Sequence, residues 1–434
     1  MIITLRILTI LLLALSGLHF VRINSPQASG LGLPKMLAEA LVPYILLASL
    51  LGALSGLALG DPWTMTAGAA SALISALHFW RVIAPHQGFA RAFGADWQAK
   101  LPPARTGAML KRRWAPRLPA TPQPRWERDL PFWRIPGTQR DLLCDLWQPP
   151  ESVTPSGLGI VFFHGSGWHF LDKDFSTRPF FRHLAAQGHV IMDVAYRMCP
   201  ETDFTGIIGD AKRAIAWMKT NASRFGVDPQ KIVVMGASAG GHMSLLSAYA
   251  PCDERMIPDD VRGTDLTVKA VVSYYGPSDI RLYNQHAGRT MGFTQDDLPP
   301  KAPGLLDRVM ERIRDKLVKA NVYPITHRQM MKNLLGGQPD QAPEAYDLAS
   351  PVNYVSPQSP PTLLFHGEHD QIVPVTATRI LYKKLLENHV PAIYVEFPQT
   401  EHAFDVAFQG ISPGSPAAQA ALYDVERFLA LLVS

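Results

Sequence analysis

At 434 residues the chain has room for more than one domain, and its net charge of +4 is too small to mark a general nucleic-acid binder. That charge is concentrated: Arg81 to Arg117 holds eight Lys or Arg against the single acid Asp96, so the remainder is slightly acidic. The three cysteines, Cys144, Cys199 and Cys252, lie far apart with no metal-ligand spacing and no disulfide framework, and read as structural thiols.

In chain order, the N-terminal region comes first. Residues 2–21 carry only Arg6 as a charge, and 40–60 and 62–80 carry none. Each run matches the roughly 20 apolar residues of a bilayer-crossing helix, giving a transmembrane region over 1–84. Arg6 is expected to sit near a helix end and snorkel. Gly52, Ser55 and Gly56 in the second run, and Ala67 to Ala72 in the third, let helix backbones approach closely. With Asp61 between them, these two runs read as a tight hairpin. Two other readings fit the same residues: a cleaved signal peptide over 1–20, and buried helices of a soluble protein. With three spans, Arg22, Lys35 and the basic stretch after Trp80 share one side. The positive-inside rule then puts the C-terminal part in the cytoplasm. Residues 85–123, rich in Pro, Arg and Trp without periodicity, read as a basic juxtamembrane connector, either a solvated tether or one lying against anionic headgroups.

From Arg125 short apolar runs alternate with amphipathic ones. WERDLPFWRI and DLLCDLWQ read as an opening pair of strands, and LGIVFFHG, HVIMDVAYR, KIVVMG, VKAVVSYYG, PTLLFHG and AIYVEFP as later ones. Helices fall between them, over STRPFFRHLAAQG, 203–225, the stretch after Ser238, 375–389 and 416–433. This pattern predicts an α/β domain over 124–434, a mostly parallel sheet with helices on both faces. Ligands of such sheets sit at the carboxyl ends of the strands. Residues 278–346 interrupt the alternation. There Leu306, Val309, Met310, Ile313 and Leu317 recur at helical spacing, as a cap helix packed on the domain or a lid would have them.

The chemistry gathers at strand ends. KIVVMGASAGGHMSLLSA runs an apolar strand into Gly236-Ala237-Ser238-Ala239-Gly240 and then a helix. That context forces a serine onto a strained strand-to-helix turn with its hydroxyl exposed. Asp370 follows PTLLFHG, and His402 follows AIYVEFP. His402 reaches Ser238 from a separate loop and is preferred as base over His366 and His369, which sit beside Asp370. Glu368 is a less suitable partner than Asp370. His164 reads as a loop-shaping residue and Asp210 as a packing or hydrogen-bonding one.

The pieces HGSGW (His164–Trp168), Asp193–Arg197 with Cys199-Pro200-Glu201, GASAGG, SPVNYVS, HGEHDQIVP and EHAF together resemble an α/β-hydrolase carboxylesterase. The likeness is to the hormone-sensitive-lipase-like and feruloyl-esterase-like (BD-FAE) branches, over most of the last 300 residues and outside the N-terminal spans. It implies a nucleophile Ser238, an orienting Asp370 and a base His402. It also implies oxyanion donors from the backbone N–H groups of Ser166, Gly167 and Ala239, although the family usually has glycine where Ser166 stands. The expected activity is cofactor-free and metal-free hydrolysis of a small-molecule or lipid ester at a membrane. The same triad serves thioesterases, amidases, peptidases and acyltransferases, and a noncatalytic membrane scaffold would keep the fold alone.

Overall fold

The computed structural model describes residues 2–165, 167–175, 177–290, 325–405 and 415–433. Four helices open the chain: α1 (Ile2–Gly17), α2 (Gly32–Ala40), α3 (Val42–Ala58) and α4 (Pro62–Ile83). Small residues decide how they pack. A Cβ on Gly56 would fall 2.3 Å from the Met65 nitrogen, and one on Gly68 would fall 2.5 Å from the Ala53 nitrogen. Only glycine therefore permits this approach of α3 to α4. A buried hydroxyl cluster ties α1 to both, through Ser16–Ser71 (2.7 Å), Ser49–Ser71 (2.7 Å) and Ser16–Ser75 (3.0 Å).

The outer faces of these helices stay apolar, with Ile3, Leu54, Leu57, Trp63, Leu73 and Trp80 each more than 60% exposed. Segments Ile2–Phe20 and Pro62–Phe93 are long and apolar enough to cross a membrane. A third candidate exists only if α2 and α3, bent by 77° against each other, count as one. The bend has a local cause: Pro43 at the start of α3 has no N–H to continue the α2 ladder. Arg6 departs from the sequence expectation. Instead of snorkelling alone it makes a two-nitrogen ion pair with Asp61 in the α3–α4 turn, at 2.9 Å (Nε–Oδ2) and 2.6 Å (Nη2–Oδ1).

Short helices α5 (Gly88–Phe93) and α6 (Pro103–Thr106) lead to the α/β domain. Its strands are β1 (Arg125–Arg134), β2 (Asp141–Gln148), β3 (Gly157–Phe163), β4 (Val190–Val194), β5 (Val227–Ala237), β6 (Ala270–Tyr274), β7 (Thr362–Gly367) and β8 (Ala392–Phe397). The helices are α7 (Arg178–Ala185), α8 (Phe204–Thr220), α9 (Ala239–Tyr249), α10 (Ile280–Thr290), α11 (His327–Leu335), α12 (Pro343–Leu348), α13 (Val375–Glu387) and α14 (Pro416–Val433). The strands form one sheet in the order β1-β2-β4-β3-β5-β6-β7-β8. Only the β1–β2 and β2–β4 pairs are antiparallel.

Alternate residues of each inner strand enter opposite cores. Val161, Phe163, Val234 and Val271 face α8 and α9, while Ile160, Phe162, Val233 and Val272 face α7 and α14. Burial on both faces is why these strands read as unbroken apolar runs. The interrupting segment contributes α10, α11 and α12, and its apolar stripe from Leu306 to Leu317 lies outside the described residues.

The stretch read as a loose connector is docked on α14. Phe89 and Leu110 are buried in the core on that face of the sheet. Leu110 N–H donates to Glu426 (2.8 Å), Ala115 N–H to Gln419 (2.8 Å), and Arg113 to Asp424 (2.5 Å). Backbone-to-side-chain anchors of this kind leave no periodic signal in sequence. Asp424 is buried and also receives His86 at 3.1 Å. Asp424→Ala would strand the buried Arg113, so a loss of about 3 kcal/mol is expected. Chemical denaturation of the full chain checks this, and an unchanged midpoint would contradict the docking.

Candidate active site

β5 ends at Ala237 and α9 begins at Ala239, leaving Ser238 alone in the turn with φ 53° and ψ −119°. A side-chain residue takes that conformation only when its surroundings impose it. Here Ser238 N–H donates to the Tyr274 carbonyl at 2.9 Å, fastening the turn to the end of β6. Glycines permit the close approach. A Cβ on Gly240 would lie 1.9 Å from the Phe163 carbonyl oxygen, and one on Gly236 would lie 2.4 Å from the Gly240 carbonyl carbon. The serine hydroxyl is thereby fixed at the carboxyl edge of the sheet, beside the loop that follows β3.

Two further loops converge on it. His402, after β8, places Nδ1 2.7 Å from Asp370 Oδ2 and Nε2 3.1 Å from Ser238 Oγ. With the Nδ1 hydrogen donated to Asp370, Nε2 is left to accept from the serine hydroxyl. Asp370, after β7, is itself pinned, because its Oδ1 accepts the N–H groups of Ile372 (2.8 Å) and Val373 (2.7 Å). Burial pushes its carboxyl up, but its interactions with His402 and His366, hydrogen bonds among them, outweigh that and hold it below the usual carboxylate range. The Tyr275 ring, its centroid 4.3 Å from that of His402, backs the imidazole, and its hydroxyl donates to Asp405.

The competing residues have partners of their own, and one of them, His366, also brings its Nε2 to 3.2 Å from Asp370 Oδ2. His366 is buried between Thr378 Oγ1 (2.8 Å) and the Val373 carbonyl (3.0 Å). His369 Nδ1 meets Lys35 at 2.9 Å, and Glu368 receives Arg22 at 2.6 Å. Asp210 is bound by Arg197 and Arg213. His164 stacks on Tyr196 at 4.4 Å, and burial lowers its pKa to about 4, so it stays neutral. Gly167 adopts φ +56° in the loop after β3, and Ala239 opens α9. Ser166 lies outside the described residues.

Motif reading missed His242, one turn along α9 from Ser238. Its Nε2 donates to the Ala349 carbonyl (2.7 Å), so its Nδ1 accepts the Trp168 indole N–H (3.3 Å). Burial lowers its pKa to about 4, which keeps that neutral tautomer. The histidine thus locks the loop carrying Gly167 onto α9. Lys35, Glu39 and Glu401 were missed as well. The one visible signal was a Lys–Glu pair four residues apart in an otherwise uncharged stretch. Among the described residues, no group of three or more His, Cys, Asp or Glu is set to hold a metal.

Comparison with known proteins places this geometry in context. The BD-FAE family model matches residues 144–385, more than half of the chain. The probable carboxylic ester hydrolase LipM of Mycobacterium tuberculosis is 32% identical over 289 residues, covering 66% of this chain and 57% of that protein. Esterase LipC of the same organism is 29% identical over 282 residues, covering 65% of this chain and 61% of that one. The chain therefore spans about three fifths of the length of these two relatives. The butyrate-bound structure of esterase Est2 from Thermogutta terrifontis is 22% identical, with a TM-score of 0.50 over 72% of this chain and 95% of that one. That likeness bears on the fold, an α/β-hydrolase.

The turn geometry carries a test. Gly240→Ala forces a methyl group into the Phe163 carbonyl, so a destabilisation of about 3 kcal/mol or failure to fold is expected. A variant melting within a degree of wild type would contradict the packing.

Proposed function

We propose that this chain, which belongs to the BD-FAE family, hydrolyses carboxylic esters through an acyl-enzyme on Ser238. The observation that carries the reading is the continuous hydrogen-bonded path from Asp370 through His402 to Ser238 Oγ, at 2.7 and 3.1 Å. The carboxylic ester hydrolase and esterase names of the Mycobacterium tuberculosis relatives support it.

A free serine hydroxyl is a weak nucleophile at neutral pH. As Oγ attacks the ester carbonyl, His402 Nε2 takes its proton. Asp370 holds the imidazole in the receiving tautomer and stabilises the imidazolium that forms. The alkoxide leaves with the proton returned by His402, and water then repeats the sequence on the acyl-enzyme. Negative charge on the tetrahedral oxygen falls to backbone N–H groups of Ala239, Gly167 and Ser166. One such donor contributes roughly 3 kcal/mol to the transition state.

In the same reading α1, α3 and α4 anchor the enzyme in a membrane, supported by their exposed apolar faces. The excess of Lys and Arg between Arg81 and Arg117 favours a cytoplasmic catalytic domain. A lipophilic ester, concentrated in the bilayer beside the site, is the substrate class this arrangement serves.

In the full chain, Ser238→Ala is expected to abolish p-nitrophenyl butyrate hydrolysis, and Asp370→Asn to lower kcat by about 10⁴-fold. Retained turnover in Ser238→Ala would defeat the assignment. Cys252 is exposed while Cys144 and Cys199 are buried, which gives a topology test. A membrane-impermeant maleimide should label inverted vesicles and spare intact cells. Labelling of intact cells would reverse the orientation, and recovery of the protein in the carbonate-washed supernatant would remove the anchor.

A further inference from the structure

The two loops that carry Asp370 and His402 share a tether that comes from outside the α/β domain. Lys35, on α2, is fully buried. Its ammonium donates to Glu401 Oε1 at 2.8 Å and to His369 Nδ1 at 2.9 Å, with Glu39 Oε1 3.8 Å away. Glu401 immediately precedes His402, and its other oxygen accepts the N–H of Gln371, the residue after Asp370, at 3.1 Å. One carboxylate therefore spans the loop of the base and the loop of its orienting acid. Glu39 closes the arrangement by accepting the Glu401 N–H at 3.0 Å. The loops also touch directly, since a Cβ on Gly367 would fall 2.3 Å from the Thr400 carbonyl oxygen.

A buried ammonium is costly unless acceptors surround it. Taking it away would leave Glu401 as a buried anion with nothing to balance it. His369 accepts as a neutral ring, its pKa lowered to about 4 by burial and then by the Lys35 charge. The Lys35–Glu401 bond thus holds the Glu401 carboxylate in place, and that carboxylate ties together, beside the backbone bond from His369 N–H to the Thr400 carbonyl (2.9 Å), the loops that carry Asp370 and His402.

We propose that Lys35, from the N-terminal helical region, is a positioning residue for the Asp370–His402 pair, acting through the carboxylate of Glu401. The proposal rests on the assignment of Ser238, Asp370 and His402 given above. A bond that only glued α2 to the domain would affect stability and leave turnover of the folded enzyme alone. A positioning role lowers kcat while substrate binding persists.

The experiment uses the full chain in detergent micelles with p-nitrophenyl butyrate. Lys35→Met is expected to lower kcat about tenfold or more, since small displacements of reacting groups are costly, with KM within about twofold of wild type. Glu401→Gln keeps an acceptor for Gln371 but loses the charge, and should show the same split. The double variant should fall no further than the worse single one, because both act on one contact. Folded Lys35→Met with wild-type kcat, or effects that multiply in the double variant, would overturn the proposal. If Lys35→Met does not fold, Glu401→Gln decides alone: a lowered kcat at unchanged KM supports the proposal, and wild-type kcat overturns it. Ser238→Ala is measured alongside. If it retains turnover, the Ser238 assignment falls and this proposal with it. If it is silent while the Lys35 and Glu401 variants behave as wild type, only this proposal falls.

Discussion

The site depends on how closely the start of α9 is pressed against the end of β3. Gly240 sits where any side chain would collide with the Phe163 carbonyl, and Gly236 sits where one would collide with Gly240 itself. That contact leaves the intervening Ser238 no relaxed conformation, so it holds φ 53°. The same compression lifts its hydroxyl clear of the strand and starts a helix directly behind it. The N-terminal dipole of that helix then points at the position where negative charge would build. Geometry and electrostatics here share one steric cause.

The remaining two members of the array have no comparable constraint in the sheet. Asp370 and His402 ride on loops after β7 and β8, two and three strands away from β5. They are held by contacts within and between the loops: the Ile372 and Val373 backbone N–H groups on Asp370, the Tyr275 ring behind His402, and, between the loops, the His369 N–H on the Thr400 carbonyl and the Glu401 carboxylate. Arg22 on Glu368, like Lys35 on Glu401, comes from the segment between α1 and α3. The helices at the N-terminus therefore pack against the part of the site that the sheet constrains least. A chain cut near residue 120 would keep the strand-to-helix turn and lose these supports.

Much of this could be read from sequence, for a physical reason. Strands buried on both faces announce themselves as apolar runs, as Ile232 to Met235 do, and a serine flanked by glycines at such a run's end has few structural uses. The order Ser238, Asp370, His402 carried the rest. What stayed hidden was contact between distant residues. Nothing local to Lys35 points to Glu401, which lies 366 positions on, and Arg6 gives no hint that Asp61 awaits it. The stretch from Gly88 to Ala115 looked unstructured because isolated apolar residues such as Phe89 and Leu110, together with polar anchors into α14, hold it in place of a periodic apolar stripe. Pro43 did mark the break between α2 and α3, but charge-free length masked it.

In the proposed reaction Ser238, alone among the chain's many serines, is an activated nucleophile. Treating the full chain with a fluorophosphonate and mapping the adduct by peptide mass spectrometry tests this most directly. A single adduct on the peptide holding Ser238, absent in His402→Ala, is the predicted result. Folded protein that stays unlabelled, or an adduct on any other residue, would contradict it.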